Sequence, residues 1–209
     1  MGEPINISVI GAGLMGHGIA ATFARAGHRV KVFDTLPDSL ASLRERAAAS
    51  LATLGLSPEQ CADASALITP VEGFDESVAD AAVVVEAAPE NLELKQTIFA
   101  DLEKAVPADC ILASNTSVIP ITAIVERLEN RERALGTHWW NPPHLIPLVE
   151  VIRTQWSSEA AMDTMMALLQ AVGKTPVRVE KDVPGFIGNR LQHALWREAI
   201  SLVENGICD

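Results

Sequence analysis

Short apolar runs alternate with longer stretches of helical period along this chain. Ile5 to Ile10 (INISVI), Arg29 to Phe33, Ala82 to Ala87 (AVVVEA), Cys110 to Ala113, Ala134 to Thr137, Leu148 to Ile152 and Thr175 to Val179 are each compact, and most are rich in β-branched residues. Turn formers bound them, so each predicts a buried strand. A further brief strand is expected at Ala66 to Thr69. Helical patterns fall between, at Leu14 to Ala26, Asn91 to Ala105 and Ser158 to Val172. Pro37 and Asp38 open another helix that Gly55 closes, as an N-terminal Pro and a C-terminal Gly should. Ser57-Pro58-Glu59 starts a short helical piece, and Pro120 to Leu128 predicts a short helix. Strand and helix alternating in this way make a doubly wound, mainly parallel α/β sheet the economical architecture. After Asp182-Val183-Pro184-Gly185 comes a long helical pattern, Phe186 to Glu204, apolar on more than one stripe. The expected organisation is one α/β domain over 1–183, then a helix at 184–209 that begins something further.

The turn after the first strand carries Gly11, Gly13 and Gly16 in G-x-G-x-x-G spacing, with Leu14 and Met15 inside the loop. Gly11 permits a tight turn, Gly13 lets backbone N–H groups approach a pyrophosphate, and Gly16 lets the next helix pack close. The open N–H groups and positive dipole end of that helix then face the phosphates. Asp34 ends the second strand eighteen residues after Gly16, close to the ~20 at which an acid accepts from a ribose 2′-OH. No arginine follows in Thr35-Leu36-Pro37 to receive a 2′-phosphate. Glycines alone also suit an ordinary turn, and Asp34 an ordinary strand end. The strand, loop, helix, strand order selects a Rossmann-like dinucleotide site, with NAD favoured over NADP.

The chain has 209 residues, 48% hydrophobic and 21% charged, with a net charge of −11. That acidity argues against nucleic acid or an anionic membrane as partner. The N-terminus has no basic segment followed by a long apolar core, and no apolar run is long enough to span a bilayer, so a cytoplasmic protein is expected. Cys61, Cys110 and Cys208 are odd in number and in no C-x-x-C pattern, which fits reduced thiols and no metal site.

Polar groups gather where strands end, the side on which open α/β sheets bind ligands. Ser114-Asn115-Thr116-Ser117 follows one strand; such hydroxyls also serve simply as loop and cap residues. His138 ends another and runs into Trp139-Trp140-Asn141-Pro142-Pro143, where large aromatics and a rigid loop offer desolvation and fixed orientation. Glu150 lies within the apolar strand LVEVI, where a carboxylate is costly unless paired, so it needs a partner such as His138. His17, His28, His144 and His193 read as surface, cap or helix residues.

GAGLMG, Asp34, SNTS, HWWNPP, LVEVI and DVPGFIGNRL, in this order and spacing, resemble the 3-hydroxyacyl-CoA dehydrogenases from about Ile5 to the C-terminus. The resemblance implies that His138 is the base and Glu150 its partner. It implies that Ser117 binds the reacting oxygen, with Asn141 and Asn189 lining the same substrate site. Glu90 and Lys95 correspond to the family's cofactor wall, and Asn115 joins the cofactor residues. The resemblance implies oxidation of the secondary alcohol of a 3-hydroxyacyl-CoA-type substrate to the ketone by hydride transfer to NAD, with a place in fatty acid metabolism. The helix at 184–209 corresponds to the first of a C-terminal helical domain, missing here, that makes the family's homodimer.

The sequence departs from the family in two places. The aromatic pair after the base is Phe-Phe in many relatives and Trp139-Trp140 here. Ala47 to Leu94 contains no Lys or Arg, although CoA-using relatives carry basic residues in this region to meet the nucleotide phosphates. A small hydroxy acid or alcohol without CoA is therefore the alternative substrate. A structural or sensory NAD-binding protein without turnover is the alternative of another class.

Overall fold

The computed structural model describes residues 3–209; Met1 and Gly2, at the start of the expected 1–183 domain, lie outside the described residues. The order is β1 (Asn6–Ile10), α1 (Gly16–Arg25), β2 (Arg29–Phe33), α2 (Pro37–Ala41), α3 (Leu43–Ala52), α4 (Pro58–Ala66), β3 (Ile68–Val71), α5 (Phe74–Val78) and β4 (Val83–Glu86). There follow α6 (Leu92–Ala105), β5 (Ile111–Ser114), α7 (Ile121–Ile124), β6 (Ala134–Trp139), β7 (Leu148–Ile152), α8 (Glu159–Ala171), β8 (Thr175–Val179) and α9 (Gly188–Glu204). All eight strands form one sheet in the order β3-β2-β1-β4-β5-β6-β7-β8. Only the β6–β7 pair is antiparallel.

Successive strand residues point to opposite faces, and both faces are covered, so the strands read as continuous apolar runs. Val83 and Val85 join the core beneath α1, α3, α4 and α8 with Phe23, Leu51 and Met165. Val84 joins the opposite core with Phe99, Leu102 and Ile121 of α6 and α7. The chain runs outward through β2 and β3, then crosses back over β1 to β4. That reversal opens a crevice at the carboxyl ends of β1 and β4, where doubly wound sheets bind ligands.

The structure differs from the expectation in detail. The helix expected from Pro37 to Gly55 is two, α2 and α3, with a turn at Ser42 (ψ −2°) between them. Ala66 completes α4, so the third strand starts at Ile68 and includes Pro70; β3 lies at the sheet edge, where a proline's missing N–H is tolerated. Pro120 to Leu128 holds only the single turn α7. The five-residue helix α5 carries too few apolar positions to announce itself.

Candidate active site

The chain leaves β1 through Gly11, whose φ of +108° is glycine territory. A Cβ on Gly16 would stand 1.7 Å from the Gly11 carbonyl oxygen, so α1 can start directly against the loop only with glycine there. A Cβ on Gly13 would meet nothing within 4 Å, leaving open room before the loop's backbone. One Asp34 oxygen accepts from the Ala12 N–H at 2.6 Å and the other from Leu36 N–H at 2.8 Å, which holds the carboxylate at the mouth of the crevice. A cavity of about 520 Å3 runs from this loop past Asp34, lined also by Leu14, Met15 and Pro89. An open glycine loop at a helix N-terminus, an acid beside it and a long cleft fit the phosphates and ribose of a dinucleotide.

Two loop-bracing residues left no mark in the sequence. Arg46 Nη2 donates to the carbonyls of Ala12 and Ser39, both at 2.7 Å. His17 Nδ1 donates to Gly13 O at 2.9 Å while its Nε2 accepts from Ser50 Oγ at 3.2 Å. Burial lowers the His17 pKa, the Gly13 bond opposes this, and Arg46 adds to the lowering, so the neutral tautomer with the proton on Nδ1 suits both partners. His28 is buried rather than superficial, its Nδ1 accepting from Ile5 N–H at 3.2 Å.

The loops after β4 and β5 are tied by a buried knot. Glu86 Oε1 accepts from Lys95 Nζ at 2.6 Å, and its Oε2 from Ser114 Oγ at 2.6 Å. Lys95 also donates to Ala88 O at 3.1 Å and is 0% exposed. Lys95, expected on the cofactor wall, is fully buried: its ammonium is held by Glu86, and Glu90 lies 4.0 Å away. Removing either member of such a buried pair typically costs ~3–5 kcal/mol. Glu90 itself accepts from Thr116 Oγ1, which fastens the 86–91 loop to the 114–119 loop. Asn115 is buried and its Oδ1 accepts from the Trp139 N–H at 3.0 Å, linking this loop to β6.

His138 and Glu150 are neighbours across β6 and β7. Glu150 Oε2 accepts from His138 Nδ1 at 2.7 Å, and its Oε1 accepts from the N–H groups of Ile187 and Gly188 at 2.7 and 3.0 Å. Burial raises the Glu150 pKa, but the bonds from His138 and these two N–H groups outweigh it and hold the carboxyl below the usual range. A carboxylate only accepts, so Nδ1 carries a proton, and in the neutral form of the ring Nε2 is the nitrogen with the lone pair. The imidazole is flanked by Trp140 and Phe186, ring centroids 5.2 and 5.6 Å away. Phe186 is buried at φ +48°, the one non-glycine positive φ among the described residues. That left-handed turn costs a non-glycine residue ~1–2 kcal/mol; it seats the ring on His138 and aims the next two N–H groups at Glu150.

Ser117 is exposed, and its carbonyl accepts from Asn189 Nδ2 at 2.9 Å, which joins α9 to the β5 loop. Asn141 is exposed on the loop after β6 and makes no hydrogen bond to the other candidate residues among those described. The arrangement offers an imidazole whose Nε2 has no hydrogen-bond partner among the described residues, an orienting carboxylate and a hydroxyl, the set needed to move a proton on and off an alcohol oxygen. Among the described residues no group of His, Cys, Asp and Glu could hold a metal ion, and no helix is long and apolar enough to cross a membrane.

The chain is similar to several known proteins. The chain is 40% identical to 5-formyl-3-hydroxy-2-methylpyridine 4-carboxylate 5-dehydrogenase of Mesorhizobium japonicum, over 98% of this chain and 66% of that protein. It is 40% identical to an L-carnitine dehydrogenase of Streptomyces griseus, over 96% of this chain and 60% of that one. The crystal structure of 3-hydroxybutyryl-CoA dehydrogenase from Escherichia coli K12 superposes with a TM-score of 0.93 at 34% identity, covering 99% of this chain and 44% of that one. The chain thus spans about two thirds or less of the length of these relatives. Residues 6–183 match the family described as 3-hydroxyacyl-CoA dehydrogenase, NAD binding domain, and with the glycine loop and the His–Glu pair in place the chain belongs to that family.

Proposed function

We propose that the protein oxidises the secondary alcohol of a small hydroxy acid, using His138 as base and Glu150 to orient it. The observation that carries this is the 2.7 Å bond from His138 Nδ1 to Glu150, which fixes the tautomer and leaves Nε2 to take the hydroxyl proton. Glu150 stabilises the imidazolium that forms, and the Ser117 hydroxyl donates to the oxygen as it becomes a carbonyl. The glycine loop, Leu14, Met15, Asp34 and the Glu90 and Asn115 loops hold NAD. When bound, NAD accepts the hydride released from the alcohol carbon. Trp140 and Phe186 keep water from the imidazole. Asn141 and Asn189 face the substrate in this reading, and α9 continues into the part of the protein that covers the cleft and makes a homodimer.

The substrate class rests on the surface from Ala47 to Leu94, which offers no Lys or Arg to the phosphates of CoA. The similarity to an L-carnitine dehydrogenase supports a substrate without CoA. Similarity to a 3-hydroxybutyryl-CoA dehydrogenase favours the thioester as the second reading. NAD reduction with 3-hydroxybutyryl-CoA and with the free 3-hydroxy acid separates them. Preference for the acid is expected. Strong thioester preference that weakens with salt would reverse the assignment, and NAD binding without reduction of any hydroxy substrate would leave a cofactor-binding protein without turnover.

A further inference from the structure

In a chain of net charge −11, positive charge collects on one face of α9 beside the site. At about 100° per residue, Asn189, Arg190, His193 and Arg197 fall within roughly 100° of one another around the helix. Arg190, His193 and Arg197 border a cavity of about 360 Å3 together with Val118, Pro184 and Asn189. This cavity adjoins the catalytic groups: Val118 follows Ser117, and Asn189 Nδ2 is bonded to the Ser117 carbonyl. Both arginines are exposed and, among the described residues, have no ion-pair or hydrogen-bond partner. Arg25, Arg29 and Arg127 also lack such a partner among the described residues, but none of them lines this cavity; other arginines are engaged. Arg46 is held by carbonyls, Arg153 by Glu159, and Arg178 by Glu159 and Asp163. Glu90, behind Val118, is occupied by Thr116.

Resting on the dehydrogenase reading, we infer that Arg190 and Arg197, with His193, form a subsite for the free carboxylate of the hydroxy acid whose hydroxyl meets His138. A guanidinium presents two parallel N–H donors to a carboxylate, and two unpaired forks on one helix face, opening on a small cavity, supply charge for one such group. A CoA nucleotide spreads several phosphates over a longer span, and the Ala47 to Leu94 surface has no base for the remainder.

Titration calorimetry on the NAD-loaded chain tests this with 2-, 3- and 4-hydroxybutyrate, their methyl esters, and CoA. At least one acid is expected to bind on the order of tenfold tighter than its ester, the worth of a charge-assisted hydrogen bond, with the difference shrinking as salt is added. Arg190→Gln and Arg197→Gln, near-neutral changes for a helix, should remove that difference and leave ester binding unchanged. Acids that bind no better than their esters, or a preference that survives both substitutions, overturn the subsite. CoA binding that depends on the two arginines while the acids do not bind also overturns it, in favour of a phosphate site. Failure of the dehydrogenase reading is separate: arginine-dependent acid binding with no NAD reduction keeps the subsite and removes the turnover.

Discussion

Glu150 stands directly opposite His138 in the antiparallel β6–β7 pair, so sheet register alone puts the carboxylate 2.7 Å from the imidazole. Directly opposed residues share a face, and a slip of one residue would send Glu150 to the other side. Because the two act as one unit, His138→Gln should lower turnover by about 10²–10⁴-fold with NAD affinity little changed. Glu150→Gln should act on the same step, and the double variant should lose far less than the sum. Steady-state NAD reduction measures this. Additive losses would take the pair out of the mechanism.

The pair is held from α9 through close packing. A Cβ on Gly188 would stand 2.3 Å from Trp140 Cζ2, and Gly188 N–H is one of the donors to Glu150. Gly188→Ala must therefore displace either the indole beside His138 or the helix start. A loss of ~1–3 kcal/mol in a urea melt is expected, as for other overpacked sites, together with lower turnover. A variant of unchanged stability and activity would show that Trp140 yields freely.

In the proposed reading cofactor choice rests on Asp34, whose carboxylate is fixed by Ala12 and Leu36 N–H groups, where a 2′-phosphate would suffer repulsion. NAD should bind more tightly than NADP, and Asp34→Ala should narrow the difference by weakening NAD. Arg46 is engaged by Ala12 and Ser39 carbonyls, so it is not expected to rescue NADP binding. Tighter binding of NADP to the unmutated protein would refute the assignment; fluorescence titration of both cofactors decides.

The sheet was legible because its central strands are apolar runs, and the glycine loop because Gly11 and Gly16 answer steric needs. Glu150 was legible because a carboxylate between valines demands a partner. Phe186 was not: any residue can be forced left-handed by its surroundings, and only the neighbouring Gly185 hints at a turn. Arg46 and the Ser42 break are likewise invisible, since their partners are backbone carbonyls that every residue carries. The burial of Lys95 against Glu86 was not legible either, because spacing along α6 gives proximity to Glu90 and not exposure.

Lys174 offers a pH-dependent readout of the loop that carries Trp140 and Asn141. Its Nζ donates to Pro143 O at 2.5 Å and Ile146 O at 3.0 Å, and it lies 5.5 Å from the Trp139 ring centroid. Burial first, and Arg25 second, lower its pKa to about 8 from 10.5. The folded state therefore gives up this proton before the unfolded state does. Stability should rise with pH from about 8 to 10.5 and be flat in this group outside that window. Subtracting the melts of Lys174→Met from those of the unmutated protein isolates the effect, and the variant should also lose ~1–3 kcal/mol from two stranded carbonyls. A difference that does not change across that window would contradict the assignment.

The last expectation concerns α9, which has no buried residue. Leu191 and Leu195 are 66% and 68% exposed, and Ile200 is 57% exposed. Leu191 and Leu195 are one turn apart, so they make a continuous apolar ridge on the side away from Arg190 and Arg197. Exposed apolar ridges of this kind drive association. The 209-residue chain should therefore self-associate with rising concentration, as seen by sedimentation velocity. Leu191→Gln with Leu195→Gln should shift it toward monomer without lowering the thermal midpoint extrapolated to low concentration, because these side chains support nothing in the core. A monomer at every concentration would show that the ridge is too small to act alone, and a large loss of intrinsic stability in the double variant would show that it packs within the chain.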